Sequence, residues 1–315
     1  MPWFAQAPSN IALIKYMGKK DDKRNIPINA SLSYTLNKLQ SSVQLESQTG
    51  QRDDWGPLNI PGGRPFELNQ LAQDRFLAHL KRVKEHFNYN GAFMVRSSNN
   101  FPHSSGLASS ASSFAALTKC AVLAICELTN HPIPSSEEQA KLSRLGSGSS
   151  CRSFFSPWAI WEDEHVGGIE LPYSDLIHQV IVISHEEKKV GSSEAHARIR
   201  TGHLYHARAN QAEDNLKLLL DALKVKDWHS AYTICWREFH EMHHLFTSCT
   251  SPFTYMTETT HQALDTLQDL WAREGDGPIV TMDAGPNIHL LYRPDQAELA
   301  HRFTKNHLLG NYDLI

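Results

Sequence analysis

Residues 99–128, NNFPHSSGLASSASSFAALTKCAVLAICEL, decide the fold. Phe114, Leu117, Ala121, Ala124 and Leu128 recur at helical spacing, with Val122 and Ile125 beside them, so apolar positions run nearly all the way round the helix. That pattern belongs to a helix at the centre of a domain, not to one lying on its surface. The helix is expected to start near Ala108, after Pro102 and Gly106 punctuate the chain. Serines crowd its entrance. A helix N-terminus offers unpaired N–H groups and a partial positive charge, so Ser105, Gly106, Leu107, Ala108, Ser109 and Ser110 form a candidate phosphate cradle. An ordinary serine cap has the same composition. The GxxxxGK[ST] signature is absent, so any phosphate site here is of another design.

Upstream of this helix, residues 3–60 alternate polar and apolar in short runs, a strand-rich opening closed by PGG at 61–63. Leu71, Phe76, Leu77, Leu80 and Val83 then mark a surface helix over 71–87, and 91–100 reads as a strand entering a loop. Downstream, SEEQAKLSRLG carries acidic residues in its first turn and ends at Gly146, a second helix. LIHQVIVIS (176–184) is an apolar strand, after which the composition shifts to a charged and His-rich helix, EEKKVGSSEAHARIRTGHLYHARA. The domain boundary is placed there, giving domains of 1–184 and 185–315. Helices over 208–223, 227–246 and 258–273 precede a strand–turn–strand in GPIVTMDAGPNIHLLYRP. Strands and helices in two blocks indicate an α+β fold.

A length of 315 residues allows about two self-sufficient cores. The net charge of −4 supplies no basic field for a nucleic-acid backbone or an acidic membrane, so any anion site must be local. Five cysteines without a CxxC pair suggest a reducing, cytoplasmic setting, and neither a signal peptide nor a membrane-length apolar run is seen.

Four further segments could carry chemistry. GSGSSCRS (146–153) offers Ser147, Gly148, Ser149, Ser150 and Cys151 beside Arg152, whose fork fits a carboxylate or phosphate; a flexible turn with a surface Arg is the plainer alternative. NIALIKYMGKKDD sets Lys15, Lys19 and Lys20 around Tyr16, Met17 and Gly18, either a diphosphate-neutralising cluster or a solvated Lys-rich turn. TMDAGPN places Asp283 in a tight turn after an apolar strand, as a catalytic carboxylate or a turn residue bonding its own backbone. HEMHH (240–244) matches H-E-x-x-H, the start of a zinc hydrolase site, but no third ligand follows at a suitable offset. A His-rich helix face is the favoured reading, and no metal ligands are assigned.

APSNIALIKYMGKKD, PINASLSYTL, NNFPHSSGLASSAS, GSGSSCRS and TMDAGPN, in that order, resemble the motifs of diphosphomevalonate (mevalonate diphosphate) decarboxylases of the GHMP kinase superfamily. The resemblance implies an N-terminal domain like ribosomal protein S5 domain 2, a ferredoxin-like C-terminal domain, and a homodimer. It also implies ATP-dependent conversion of mevalonate 5-diphosphate to isopentenyl diphosphate with release of ADP, phosphate and CO2, with Mg²⁺ assisting. By the same resemblance Asp283, Arg152 and Lys15 are catalytic, while Tyr16, Lys19, Ser147, Ser149, Thr201 and Arg75 contact substrate or its neighbourhood. Met17 stands where the family carries Trp, and Gly202 follows Thr201 where many members have Ser. A related GHMP small-molecule kinase or a mevalonate 5-phosphate decarboxylase is the alternative.

Overall fold

The structure is a computed structural model that describes residues 2–64, 67–102, 109–186 and 188–315. Its first half is built on β1 (Trp3–Ile14), the small hairpin β2 (Lys19–Asp21) and β3 (Ile26–Pro27), and the long strand β4 (Ser31–Gln48). β4 runs antiparallel to β1 from Trp3↔Leu45 to Ile14↔Leu32, with irregularities at Pro8/Ser9 and Ala12/Ile14 that bend the ladder. β5 (Asp54–Pro57), α1 (Gln70–His86) and β6 (Ala92–Asn99) follow; β6 pairs with the far half of β4, and β5 joins β6 in parallel. α2 (Ser109–Thr129) and α3 (Ser136–Arg144) lead into a 3-10 turn, Gly148–Phe154, then β7 (Trp158–Glu162) and β8 (His165–Gly168), which complete a six-stranded sheet.

α2 is the central helix its composition predicts. Phe114, Leu117, Ala121, Val122, Ala124 and Ile125 are buried against Val43, Leu45, Phe93 and Val95 of the sheet, while Leu128 reaches the surface at the helix end. It is long and apolar enough to cross a membrane, but 72% of its most apolar window is buried inside the protein. On α1, Phe76, Leu80 and Val83 are buried and Leu71 is exposed at the mouth of the cleft described below.

The second half begins with β9 (Ile177–Val182), α4 (Ser192–Arg198), α5 (Tyr205–Lys224), α6 (Trp228–Ser248) and α7 (Glu258–Glu274). β10 (Ile279–Met282), β11 (Ile288–Tyr292), α8 (Ala297–Phe303) and β12 (Asp313–Leu314) end the chain. Its sheet has the order β10–β11–β9–β12, all antiparallel. The expected division at 184/185 is therefore corrected: every ladder bond of β9 goes to the second sheet, so the two sheets part between Gly168 and Ile177. The reason is legible in the packing. Val180 and Val182 face the core shared with the first sheet, whereas Ile181 faces the core under α7. A strand apolar on both faces does not announce which sheet it joins. The helix expected through the charged stretch after 185 shrinks to α4 and a single 3-10 turn, Ile199–Thr201, and α5 starts at Tyr205.

Candidate active site

A cavity of about 580 Å³ opens where the two sheets meet. Its reacting end starts from Lys15, the residue that follows β1. β1 is drawn into the core by Ile11, Leu13 and Ile14, so Lys15 is carried to 1% exposure. An ammonium withdrawn that far needs partners. Its Nζ lies 2.9 Å from Asp283 Oδ1. Its peptide is gripped from behind: the N–H donates to Glu238 Oε1 at 2.9 Å, and the carbonyl accepts from Arg208 Nη2 and Asn29 Nδ2, each at 3.0 Å. Arg208 on α5 and Glu238 on α6 form a fully buried ion pair, Arg208 Nη1 donating to Glu238 Oε2 at 3.1 Å, and Asn215 Nδ2 donates to the same oxygen at 2.7 Å.

Asp283 follows β10. Its carbonyl does what a turn residue does, accepting from Gly285 N at 2.8 Å and from His243 Nε2 at 3.1 Å. Its carboxylate does more, pointing at Lys15 with 29% of the side chain still open to the cleft. Withdrawal from water pushes the carboxyl upward, but Lys15, His289 and Lys188 together outweigh that and hold it below the ordinary value, so it is ionised at neutral pH. Burial lowers the Lys15 pKa, and the Asp283 charge restores part of it. Lys188 Nζ donates to the Ala284 carbonyl and lines the same wall.

Arg152 stands in the 3-10 turn with 3% exposure. Its Nε donates to Asn10 Oδ1 at 3.2 Å and its Nη1 to Ser31 Oγ at 2.8 Å. Asn10 Nδ2 in turn donates to Ser149 O at 3.2 Å and Ser153 Oγ at 2.8 Å, fixing the turn that carries the arginine. No carboxylate among the described residues lies within 4 Å of the guanidinium, and its Nη2 has no protein partner there. A buried cation held by neutral groups with one nitrogen unspent is set to receive an anion.

The other end of the cleft gathers positive charge with less support. Lys19 Nζ donates to Asn25 Oδ1 at 2.7 Å; burial lowers its pKa, and Arg200 and Arg75 lower it further. Tyr16 lies tilted between the rings of Trp161 and His196, each at 4.5 Å, its hydroxyl buried without a partner among the described residues. A Cβ on Gly148 would come within 2.6 Å of the Tyr16 ring, so only glycine lets the turn approach it. Ser147, Gly148, Ser149 and the first two residues of α2, Ser109 and Ser110, complete the lining, and Met17 closes an apolar wall with Val190, Met242 and Ala284. A side chamber of about 110 Å³ between Leu68, Phe76, Ser97 and Phe114 shares Arg75, Ser109 and Ser110 with the main cavity.

Residues 7–169 match the family described as diphosphomevalonate decarboxylase-like N-terminal domain, and 178–311 match the mevalonate 5-diphosphate decarboxylase C-terminal domain. The chain belongs to the diphosphomevalonate decarboxylase family. A mevalonate diphosphate decarboxylase from Legionella pneumophila is 60% identical, with a TM-score of 0.95 and 100% of each chain covered. A structure described as MDDEF in complex with MVAPP, AMPPCP and magnesium is 28% identical, with a TM-score of 0.87 and coverage of 100% of this chain and 96% of that one. Among curated relatives, diphosphomevalonate decarboxylase ERG19 of Gibberella zeae is 30% identical over 93% of this chain and 81% of its own. The α+β GHMP kinase fold follows from these likenesses.

The decarboxylase motifs converge on one cleft, but not residue for residue. Lys15, Tyr16, Met17, Lys19, Arg75, Ser109, Ser110, Ser147, Gly148, Ser149, Arg152 and Asp283 line it. Ser105, Gly106, Leu107 and Ala108 lie outside the described residues. Gly18 contributes its N–H to His196 and not to the wall. Ser150 is buried, donating to Ser147 O and sharing a bond with Ser143, and the Cys151 thiol donates to Gly148 O with burial pushing its pKa to about 12; both shape the turn. Thr201 is turned away from the cleft, its hydroxyl donating to Arg198 O and accepting from Thr250 N. The neighbouring Gly202 has a packing reason: a Cβ there would come within 2.6 Å of Ser248 Oγ. Lys20 pairs with Asp163 on the surface.

HEMHH gathers no third ligand among the described residues. Among the described residues no group of three His, Cys, Asp or Glu could hold a metal; His240 bonds Trp236 O, Glu241 accepts from Asn215, and His244 is exposed. Sequence reasoning missed Asn10, Ser31, Lys188, His196, Arg208, Glu238 and His243. Glu238 alone left a signal, a carboxylate in the apolar stripe between Ile234 and Met242 of α6.

Proposed function

We propose that this chain catalyses the ATP-dependent decarboxylation of mevalonate 5-diphosphate to isopentenyl diphosphate, releasing ADP, phosphate and CO2 in the mevalonate route to isoprenoids. The observation that carries the reading is one cavity lined by an ionised Asp283, an Arg152 with no carboxylate partner among the described residues, and the serine-rich entrance of α2. A tertiary hydroxyl is a poor leaving group until phosphorylated, and phosphoryl transfer rests on alignment and charge neutralisation. Asp283 accepts the hydroxyl proton as that oxygen takes the terminal phosphoryl group of ATP. Lys15 fixes the carboxylate's orientation. Loss of phosphate then leaves C3 electron-deficient, and the electron pair of the C–COO⁻ bond moves in to form the alkene while CO2 departs. Arg152 holds that carboxylate against the wall.

Mg²⁺ fits such a site, since it keeps several waters and needs only one or two protein oxygens beside phosphates; Asp283, or a hydroxyl of Ser109 or Ser110, would supply them here. Its contribution would be to offset charge on the nucleotide phosphates. The AMPPCP and magnesium held by the solved relative support ATP and Mg²⁺ for this chain. The side chamber beside α2 suits the nucleotide base. Five free, buried cysteines support a cytoplasmic enzyme, and the family resemblance supports a homodimer acting on a small molecule, with no nucleic-acid or membrane partner. The test is CO2 release with ATP, Mg²⁺ and mevalonate, its 5-phosphate or its 5-diphosphate. CO2 from the diphosphate alone is the expected outcome; ADP without CO2 would indicate a kinase, and CO2 from the monophosphate would reassign the substrate.

A further inference from the structure

His196, on α4, is fixed at one ring nitrogen and unpartnered at the other among the described residues. The Gly18 N–H donates to its Nδ1 at 2.9 Å, so Nδ1 must be the acceptor. Burial foremost, with the charges of Lys19 and Arg200 acting the same way against a weaker pull from Asp22, lowers the ring's pKa to about 3, and it is neutral at physiological pH. A neutral imidazole that accepts at Nδ1 carries its proton on Nε2. The residue is 6% exposed, what it exposes lines the cavity, and Nε2–H has no partner among the described residues. The Tyr16 ring against it, at 4.5 Å, and the Gly18 bond leave the ring a single orientation.

We propose that His196 binds the diphosphate of the substrate, its Nε2–H donating to a phosphate oxygen beside Lys19, and so contributes to the choice of a diphosphorylated substrate. The assignment rests on the functional reading above. The chemistry explains why an imidazole suits the position. Burial, Arg200 and Arg75 all disfavour the charge on Lys19, against a pull from Asp22, so a further cation would raise the cost of the empty site. A neutral donor adds a hydrogen bond to the anion without adding charge, and a bond to a charged acceptor is stronger than one between neutral groups.

Two variants separate this binding role from a role in holding Gly18. His196→Asn keeps an acceptor near the Nδ1 position and removes the outer donor. His196→Gln carries an amide donor out to the Nε2 position. The expected result for His196→Asn is a 10- to 100-fold rise in KM for mevalonate 5-diphosphate, with kcat and the KM for ATP within about threefold of wild type. His196→Gln should recover at least half of that loss on a logarithmic scale. The opposite ranking, or two variants with wild-type KM, would overturn the proposal. Long-range ¹H–¹⁵N spectra of the wild-type protein give a readout independent of any variant: Nε2 should be protonated, and its resonance should shift on saturation with mevalonate 5-diphosphate without nucleotide. A proton on Nδ1, or an unmoved signal, would overturn it as well. Wild-type protein inactive on the diphosphate would instead remove the functional reading itself.

Discussion

Arg208 and Arg152 are both buried arginines, one behind the cleft and one in its wall. Arg208, on α5, is neutralised by Glu238 and also donates to the Lys15 carbonyl, with only its Nε left without a partner among the described residues. Arg152, in the 3-10 turn, has the neutral oxygens of Asn10 and Ser31 and the face of Trp161 at 5.8 Å, and no carboxylate partner among the described residues. The first arrangement has its charge compensated and fixes a backbone; the second lacks the anion that would compensate it. Lys15–Asp283 stands between them, paired yet open to the cleft on the carboxylate side. A charge whose compensation is internal serves architecture, and one whose compensation must arrive from outside serves binding.

Replacing Asp283 by Ala tests the intermediate case and should have the largest effect, lowering kcat by about 10³-fold while ATP affinity, followed by titration calorimetry, stays within a few-fold. A rate near wild type would remove Asp283 as the proton acceptor. Glu238→Gln should separate architecture from chemistry: it strands the Arg208 charge in the interior and is expected to cost about 3–5 kcal/mol in denaturant unfolding. Arg152→Gln should do the reverse, with turnover down about 10²-fold and stability within about 1 kcal/mol of wild type, because no carboxylate is left unpaired. Equal destabilisation by the two substitutions would erase the distinction drawn here.

The buried histidines set a pH window. His79, His196 and His243 have pKa values lowered to about 3, and His289 to about 4, chiefly by burial. Their unfolded values lie near 6.5, so as pH falls below that point the unfolded chain takes up protons that the folded one refuses. Stability should therefore hold at neutral pH and decline from about pH 6.5 toward pH 4, each ring contributing up to about 1.4 kcal/mol per pH unit. Urea unfolding at stepped pH measures the slope; a flat profile between pH 7 and 5 would contradict the neutral assignment. The smallest effect belongs to Thr201→Ala, expected to leave KM for substrate within twofold, since its hydroxyl is bonded to Arg198 O and Thr250 N.

How much of this was legible beforehand varied by element. α2 could be read because a helix apolar on all sides has one place to go, and 13 of its residues are buried. Asp283, Lys15 and Arg152 could be singled out through the family motifs they sit in; taken singly, each segment reads equally as a turn or a solvated face. His196 could not: one of 18 histidines in the chain, it lies in a stretch whose composition suggests an exposed charged helix. Asn10 and Ser31 were hidden for another reason. They are small polar residues on strands, and only the turn carrying Arg152, folded against both, makes them supports.

The amino-acid order by itself determined the α+β class, the buried central helix and the few segments able to handle phosphate and a carboxylate, because periodicity and local composition act over neighbouring residues. Which charges meet was decided by the tertiary structure alone. Lys15 finds Asp283 across 268 positions and Glu238 across 223, and such pairings are set by how two sheets pack, a property no stretch of neighbouring residues contains.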